Sequence, residues 1–328
     1  MPRSPCPSLR NALLEAERSG ARQLRSAKAC VSLRDLRDGS AFGGRLAELE
    51  GRSVLVLTGD QLTVALALIE LDGIAHRLIL CPPDISAPHL LHVRAIAQAD
   101  AVVCGQEDVS ALACDVPLRV PCSLPVARTA GHLTGDRETE WVLLTSGTTG
   151  MPKMVVHTLA TLTAAIKPAK DPQHPIVWAT FYDIRRYGGL QILFRGLLCG
   201  GSLVLSDPHE HVGEHLERLA THGVTHVSGT PSHWRRALMS PNANAISPRY
   251  IRLSGEIADQ ATLDHLRATY PRAAIGHAYA STEAGVAFEV DDGREGFPAN
   301  LIGARNTEVH MQVADCSLRI RSSRTALR

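Results

Sequence analysis

The sequence predicts an α/β fold in which parallel sheets are flanked by helices, and two patterns along its 328 residues support this prediction. From Ser53 onward, short apolar segments alternate with segments of helical character, which is typical of parallel βαβ units. The apolar segments, such as residues 54–57, are continuous rather than alternating, which indicates strands that helices cover on both faces.

Each element follows from local composition and spacing. The region before Ser53 is rich in Arg, Ala and Leu and predicts helix, whereas residues 115–140 are rich in Pro and Thr and predict a connector. The predicted strands are residues 54–57, 77–81, 101–104, 140–144, 154–157, 177–179, 202–205, 224–227, 250–253 and 274–278. The predicted helices are residues 61–71, 90–99, 159–166, 190–198, 215–222, 231–238 and 262–270. In the tail, residues 308–313 and 317–321 alternate apolar and polar side chains, which predicts two antiparallel strands with one exposed face.

Composition argues against several classes of protein. A formal net charge of +1 gives no electrostatic basis for binding nucleic acid, and the 4% aromatic content leaves few side chains on which bases could stack. No apolar run approaches the ~20 residues that span a bilayer, and the N-terminus lacks the pattern of a secretory signal. Eight cysteines without a C-x-x-C pair favour free thiols in a reducing compartment. We therefore expect a cytoplasmic protein with no nucleic-acid partner and no membrane span.

The residues after the predicted strand 140–144 have the composition of a phosphate-binding loop. Hydroxyl side chains can donate to phosphate oxygens, glycines let the backbone approach an anion closely, and a lysine adds positive charge. These residues are Thr145, Ser146, Gly147, Thr148, Thr149, Gly150 and Lys153. The spacing is not that of a Walker loop. Pro152 predicts that Lys153 lies on an extended segment, with residues 154–157 as the return strand of a hairpin.

Two later segments follow predicted strands in the same way. Residues 253–256 read Leu-Ser-Gly-Glu, and residues 279–283 read Tyr-Ala-Ser-Thr-Glu. Together with the loop Thr-Ser-Gly-Thr-Thr-Gly-x-Pro-Lys, these motifs stand in the order found in the adenylate-forming superfamily, which the sequence resembles. That superfamily includes acyl-CoA synthetases, luciferase and the adenylation domains of nonribosomal peptide synthetases (NRPS).

The resemblance implies the domain organisation. It predicts an AMP-binding large N-terminal domain over residues 1–328, built from two similar α/β subdomains and the start of a small β subdomain. The predicted boundaries are residues 1–135 for the N-terminal subdomain, 136–300 for the nucleotide-binding subdomain and 301–328 for the β subdomain. The mobile C-terminal domain of full-length relatives is expected to be absent from this chain.

The resemblance also implies the roles of individual residues. The catalytic residues it implies are Lys153, Thr282 and Glu283, and Glu283 is also the expected Mg²⁺ ligand. The nucleotide would be held by the loop Thr145, Ser146, Gly147, Thr148, Thr149, Gly150 and Lys153, with Gly255, Glu256, Tyr279 and Thr282. Tyr279 would stack on adenine, and Thr282 would bind the α-phosphate.

The carboxylate pocket is expected near residues 180–190 and near the segment that follows the predicted strand 224–227. The pocket residues implied by the resemblance are Tyr182, Arg185, Tyr187 and Trp234. Two alternatives stay open from the sequence. Arg185 and Arg186 either pair with an acidic substrate group or lie exposed at a helix start, and Trp234 either lines the pocket or fills the core.

The activity implied is ATP-dependent activation of a carboxylic acid as an acyl-adenylate, followed by thioester formation. ATP and Mg²⁺ are the expected cofactors, CoA or phosphopantetheine the expected acceptor, and an acyl carrier protein a candidate partner. The alternative expectation is a truncated, non-catalytic remnant that binds nucleotide or acyl groups without turnover. An amino-acid adenylation domain is a third hypothesis, in which Asp183 would contact an α-amine.

Overall fold

The computed structural model describes residues 8–16, 22–105, 115–129, 135–145, 150–167, 175–304 and 309–322. The strands within these residues are β1 (Gln23–Arg25), β2 (Cys30–Ser32), β3 (Gly39–Ser40), β4 (Ser53–Val56), β5 (Arg77–Leu80), β6 (Ala101–Cys104), β7 (Leu118–Pro121), β8 (Ala127–Arg128), β9 (Glu140–Thr145), β10 (Lys153–His157), β11 (Val177–Thr180), β12 (Ser202–Val204), β13 (His226–Gly229), β14 (Tyr250–Ser254), β15 (Ala274–Ser281), β16 (Gly285–Val290), β17 (Val309–Ala314) and β18 (Ser317–Ser322). The α-helices within them are α1 (Leu9–Ala16), α2 (Leu33–Asp38), α3 (Gln61–Leu71), α4 (Ala87–Ala97), α5 (Leu159–Thr163), α6 (Tyr187–Leu198), α7 (Val212–Thr221), α8 (Pro231–Leu238) and α9 (Gln260–Thr269).

One sheet has six strands in the order β10-β9-β5-β4-β6-β7. The five strands from β9 to β7 in this order run parallel, and β10 pairs antiparallel with β9 at one edge. Every residue of β4 and β6 is buried, as the continuous apolar pattern predicts. The predicted parallel sheet is confirmed, and so is the hairpin that places Lys153 opposite Thr145.

The second sheet has eight strands in the order β16-β15-β14-β13-β11-β12-β1-β2. Its six central strands are parallel, whereas β16 and β2 pair antiparallel with their neighbours at the two edges. The parallel strands end on one side of the sheet. In open α/β sheets ligands bind beyond the carboxyl ends of the strands, so this edge is where a site is expected.

The two sheets share one hydrophobic core. Leu24 of β1, Trp141 of β9 and Phe194 of α6 belong to the same cluster of buried side chains, and the rings of Trp141 and Phe194 meet edge to face at 5.5 Å. All eleven residues of α3 are buried, which suits a helix that is apolar on every side. Within the described residues, no helix combines the length and apolar character needed to cross a bilayer.

A polar link also joins the two layers at the start of α3. The Gln61 side chain accepts a hydrogen bond from the Ile184 amide at 2.8 Å and donates one to the Ser206 carbonyl at 2.8 Å. Both partners follow strands of the eight-stranded sheet, whereas Gln61 follows β4 of the six-stranded sheet. The buried side-chain amide of Gln61 therefore fixes the carboxyl ends of the two sheets relative to each other.

Two regions in the first half of the chain differ from the elements predicted by local pattern. The N-terminal region contains strands as well as helices. These strands were not predicted, because β1 is only three residues long and pairs with β12, which lies far along the chain. The expected connector contains β7, an edge strand whose last residue is Pro121, and a sheet edge tolerates proline because no ladder partner needs its missing N–H. Short strands whose partners are distant leave little local signal.

The sheets also cross the predicted boundary at residues 135/136 in both directions. β9 and β10, from the predicted second subdomain, belong to the six-stranded sheet, whereas β1 and β2, from the predicted first subdomain, belong to the eight-stranded sheet. Strand pairing is decided by which sheet edge a segment can reach, so order along the chain does not fix it.

The C-terminal segment forms the predicted antiparallel pair. β17 and β18 align Met311 with Ile320, and most of their side chains are exposed. The alternating pattern of apolar and polar residues therefore gave the correct structure. The fold as a whole has parallel sheets flanked by helices and this small β pair, as predicted from the sequence.

Stability is expected to depend on pH through Asp72, the residue after α3. Burial raises the pKa of Asp72 to about 6, although its carboxylate accepts hydrogen bonds from the Leu9 amide at 2.7 Å and from Trp141 Nε1 at 2.8 Å. The native state keeps this proton up to about pH 6, whereas the unfolded chain loses it near pH 4. Because the native state binds more protons in this window, the free energy of unfolding should fall as pH rises through it, by about 3 kcal/mol.

Denaturant titrations of the wild type and of Asp72→Asn at pH 4 and pH 6.5 measure this term. The difference in unfolding free energy between the two proteins should change between the two pH values, since only the wild type carries the titrating group. Equal pH dependence in both proteins would contradict the prediction.

Candidate functional site

The β9–β10 hairpin carries the first group of predicted site residues. Thr145 ends β9 and lies opposite Lys153, the exposed first residue of β10. Gly150 has a φ of +84°, a left-handed conformation that glycine adopts without strain. Ser146, Gly147, Thr148 and Thr149 lie outside the described residues, so their role in binding phosphate stays a prediction.

The turn after β14 carries the second group. Gly255 has a φ of +86°, a left-handed conformation that favours glycine. A Cβ at this position would meet only Thr230 Cγ2 at 3.6 Å, so the backbone conformation rather than crowding explains the glycine. The Glu256 carboxylate accepts hydrogen bonds from the amide and hydroxyl of Ser232 at 2.9 and 2.7 Å. Burial acts to raise the pKa of Glu256, but these hydrogen bonds outweigh it and leave the pKa below its usual value. Glu256 is therefore a fixed anion beside the turn.

A cavity of about 430 Å³ lies between this turn and β15. One wall is the segment 255–258, and the other includes Tyr279, a residue that is 44% exposed. The Tyr279 ring stacks on Phe288 with centroids 5.7 Å apart, and Phe288 contacts Phe297 at 4.5 Å. The volume falls in the range of small-molecule sites, and the exposed aromatic face suits a flat ring. Gly255, Glu256 and Tyr279 are thus brought together.

The end of β15 leads directly into Thr282 and Glu283. The Thr282 carbonyl accepts a hydrogen bond from Nε2 of His157, the last residue of β10, at 2.7 Å. Glu283 is exposed. The predicted catalytic segment is therefore attached to the strand that begins at Lys153, so the structure connects two motifs that are far apart in the sequence.

The acidic residue that is expected to hold a metal is Glu283. Among the described residues, no three His, Cys, Asp or Glu side chains converge as a metal cage would require. Mg²⁺ is usually held by one or two carboxylates together with substrate phosphates and water. The exposed carboxylate of Glu283, next to Thr282, has the chemistry for that role.

Tyr182 is the predicted pocket residue that lies nearest to the Gly255 turn. Its hydroxyl donates to the Ser254 carbonyl at 2.6 Å, and its ring meets His233 edge to face at 5.7 Å. Burial raises the pKa of Tyr182 to about 12, so the hydroxyl stays protonated and remains a hydrogen-bond donor. Tyr182 therefore contacts Ser254, the last residue of β14, directly before the turn.

Arg185 is committed to contacts within the protein. Only 2% of the residue is exposed; Nε donates to Asp183 Oδ1 at 2.8 Å, Nη2 to Asp183 Oδ2 at 2.5 Å and Nη1 to the Thr58 carbonyl at 2.6 Å. The expectation of an exposed arginine is wrong for Arg185 and correct for Arg186, whose side chain is 50% exposed. The two arginines differ because the buried guanidinium of Arg185 pairs with the Asp183 carboxylate through two hydrogen bonds and donates a third to the Thr58 carbonyl.

Tyr187 and Trp234 occupy different surroundings. Tyr187, the first residue of α6, is buried and its ring lies 6.1 Å from that of His157. Trp234 is 0% exposed and packs edge to face against Phe181 and Tyr270 in the core of the eight-stranded sheet. This placement favours core packing for Trp234. The structure thus brings Tyr182 to the candidate site but places Arg185 and Trp234 in the interior.

Sequence reasoning missed Phe288, Phe297 and His157. Phe288 carried no local signal, because its pairing with Tyr279 is seen only once β16 folds back on β15. His157 carried no such signal, since its partner Thr282 is 125 residues away. Phe297 follows β16 in a segment without regular structure.

Comparison with known proteins places this geometry in context. A sequence model described as AMP-binding enzyme matches residues 81–322. The 4-coumarate--CoA ligase 3 of Arabidopsis thaliana is 27% identical over 151 residues, which cover 43% of this chain and 27% of that protein. The chain therefore matches about a quarter of the length of this curated relative.

Solved structures share the fold at low identity. The Klebsiella oxytoca NpsA N-terminal subdomain in complex with 3-hydroxybenzoyl-AMSN has a TM-score of 0.76 at 16% identity, covering 98% of this chain and 89% of that one. The N-terminal domain of FACL13 from Mycobacterium tuberculosis has a TM-score of 0.73 at 14% identity, covering 98% and 91%. A variant of E. coli MenE with bound OSB-AMS has a TM-score of 0.74 at 19% identity, covering 97% and 70%. At such identities these structures support the fold alone.

Proposed function

Because the chain belongs to the AMP-binding enzyme family, we propose that it activates a carboxylic acid with ATP to form an acyl-adenylate. A carboxylate oxygen attacks the α-phosphorus of ATP, the bond from that phosphorus to the bridging oxygen breaks, and pyrophosphate leaves. The observation that carries the proposal is the cavity between residues 255–258 and Tyr279. Tyr279 lies near the end of β15, and Thr282 and Glu283 follow that strand directly.

Each residue has a role that its position supports. The exposed face of Tyr279 stacks on the adenine ring, while the backbone at Gly255 and Glu256 borders its edge. Lys153, exposed at the start of β10, neutralises charge on the departing pyrophosphate. We assign the Thr282 hydroxyl to the α-phosphate, and the composition of the segment from Thr145 to Gly150 supplies hydroxyl and amide donors for the other phosphates.

Glu283 is the residue we assign to hold Mg²⁺. When bound, this ion would screen phosphate charge and help to align the leaving group. The protein's own contribution is to orient one carboxylate beside Thr282, and this requires only that β15 and its continuation keep their position.

The thiol sulfur of the acceptor then attacks the acyl carbon of the adenylate, the bond from that carbon to the phosphate oxygen breaks, and AMP leaves. The acceptor is CoA or phosphopantetheine, and in the second case an acyl carrier protein is the partner. The named ligase relative from Arabidopsis supports CoA as the first acceptor to test. We also propose a cytoplasmic location, since the six cysteines among the described residues are thiols that form no disulfide.

Pyrophosphate–ATP exchange tests the activation step. The purified chain is assayed with a panel of fatty, aryl and amino acids, and the aryl set includes 4-coumarate and 3-hydroxybenzoate because of the relatives named above. We expect acid-dependent exchange with one of these classes, and thioester formation when CoA or a carrier protein is added. ATP binding in calorimetry without exchange for any acid would overturn catalysis by this chain and leave a nucleotide-binding module.

A further inference from the structure

His157 links the two motifs that the proposed mechanism uses. Its side chain is fully buried at the end of β10, and Nε2 lies 2.7 Å from the Thr282 carbonyl. A carbonyl can only accept, so Nε2 carries the proton. The bond ties the last residue of the strand that begins at Lys153 to the residue before Glu283.

The other ring nitrogen is also engaged. Nδ1 lies 3.1 Å from Oγ1 of Thr161, at the start of α5. Burial lowers the pKa of His157, although the Thr282 hydrogen bond and the charge of Glu283 act in the opposite direction. The imidazole is therefore neutral near pH 7 with its proton on Nε2, and Nδ1 faces the Thr161 hydroxyl, which donates to the Thr158 carbonyl at 3.0 Å.

We propose that His157 is a positioning residue that fixes the backbone of Thr282 and Glu283 relative to the strand that starts at Lys153. This inference rests on the proposed function for its effect on catalysis, but the positioning itself is a property of the fold. A histidine is needed because an aliphatic side chain of similar size could not donate to the Thr282 carbonyl, and the contact between β10 and the end of β15 would be lost. The carbonyl would then shift toward water and move Glu283 with it.

Three variants test the proposal. His157→Leu removes the donor, whereas His157→Gln restores an N–H at a position that approximates Nε2. His226→Leu is the matched control, because His226 is a half-buried histidine at the start of β13 that packs on Trp178 with ring centroids 4.8 Å apart. That end of the sheet is opposite to the carboxyl ends that form the site.

The first measurement is pyrophosphate exchange at a temperature where all variants are folded. His157→Leu should lower kcat/KM by about 10- to 100-fold, mostly through kcat, because Thr282 and Glu283 would no longer be held in the geometry that the reaction needs. His157→Gln should stay within about threefold of the wild type, and His226→Leu within about twofold. Equal losses in the Leu and Gln variants, or a lowered melting temperature with unchanged kcat/KM, would overturn the proposal.

The second measurement does not depend on activity. Amide hydrogen exchange in the peptide that spans residues 279–286 should be at least about tenfold faster in His157→Leu than in the wild type, and near normal in His157→Gln. His226→Leu should leave this peptide unchanged. If the wild type lacks exchange activity altogether, the proposed function fails, and the hydrogen-exchange result still decides whether His157 positions the segment. Unchanged exchange in His157→Leu would overturn the inference in either case.

Discussion

Replacing Glu283 with Gln is expected to lower kcat/KM for pyrophosphate exchange by about 100- to 1,000-fold, because the substitution removes a negative charge from the place assigned to Mg²⁺. Glu283 is exposed, so the amide should leave the fold intact and cost little stability. The loss should be partly offset by raising the Mg²⁺ concentration if the carboxylate acts through the metal. Initial rates measured over a Mg²⁺ titration give both quantities.

The matched control is Glu295→Gln. Glu295 is also an exposed glutamate, and its carboxylate accepts a hydrogen bond from the Gln260 amide at 2.9 Å, outside the proposed phosphate site. Its exchange rate and Mg²⁺ dependence should stay within about twofold of the wild type. If Glu283→Gln retained more than a tenth of wild-type kcat/KM at every Mg²⁺ concentration, another group would have to hold the metal.

Replacing Arg185 with Met should reduce the free energy of unfolding by about 3 kcal/mol, because it leaves the Asp183 carboxylate without its bidentate partner. Asp183 is only 19% exposed and the Arg185 side chain 1%, so water can compensate little for the lost contact. The Thr58 carbonyl, which follows β4, would lose its donor at the same time. Urea titration at neutral pH measures the effect.

The adjacent arginine provides the control for this prediction. Arg186 pairs with Asp84 at 3.3 Å, and both side chains are largely exposed. Arg186→Met should therefore cost less than about 1 kcal/mol. If Arg185→Met were as stable as Arg186→Met but changed which acid is activated, Arg185 would face the substrate, which is the alternative that the sequence leaves open.

The residues of the site that were predicted from sequence share one property, which is that their signal is local. Gly255 can be recognised because a turn between strand and helix needs a left-handed residue, and its φ is +86°. The helix at 61–71 was predicted with its observed bounds, because an apolar segment of this length between strands has few other solutions. Tyr279, Thr282 and Glu283 could be assigned together because they lie within five residues.

The remaining features depend on contacts between distant segments. Arg185 and Arg186 are adjacent in the sequence, but only Arg185 is buried. Its guanidinium pairs with Asp183 and donates to the carbonyl of Thr58, which is 127 residues away. The pairing of β1 with β12 is likewise set by which strand edge is free, which no window of sequence records. The stacking of Phe288 on Tyr279 likewise depends on the register in which β16 pairs with β15.

By itself, the sequence determined the class of fold, the order of the three motifs and the resemblance to the adenylate-forming superfamily. These properties follow from short-range patterns: strand and helix periodicity, turn glycines and functional groups placed within a few residues. The tertiary structure alone decided that the β9–β10 hairpin joins the six-stranded sheet, that Arg185 serves the interior and that His157 holds Thr282. The physical reason is that hydrogen bonds and burial are satisfied by whichever groups the folded chain brings close, and this proximity is created by packing rather than by sequence spacing.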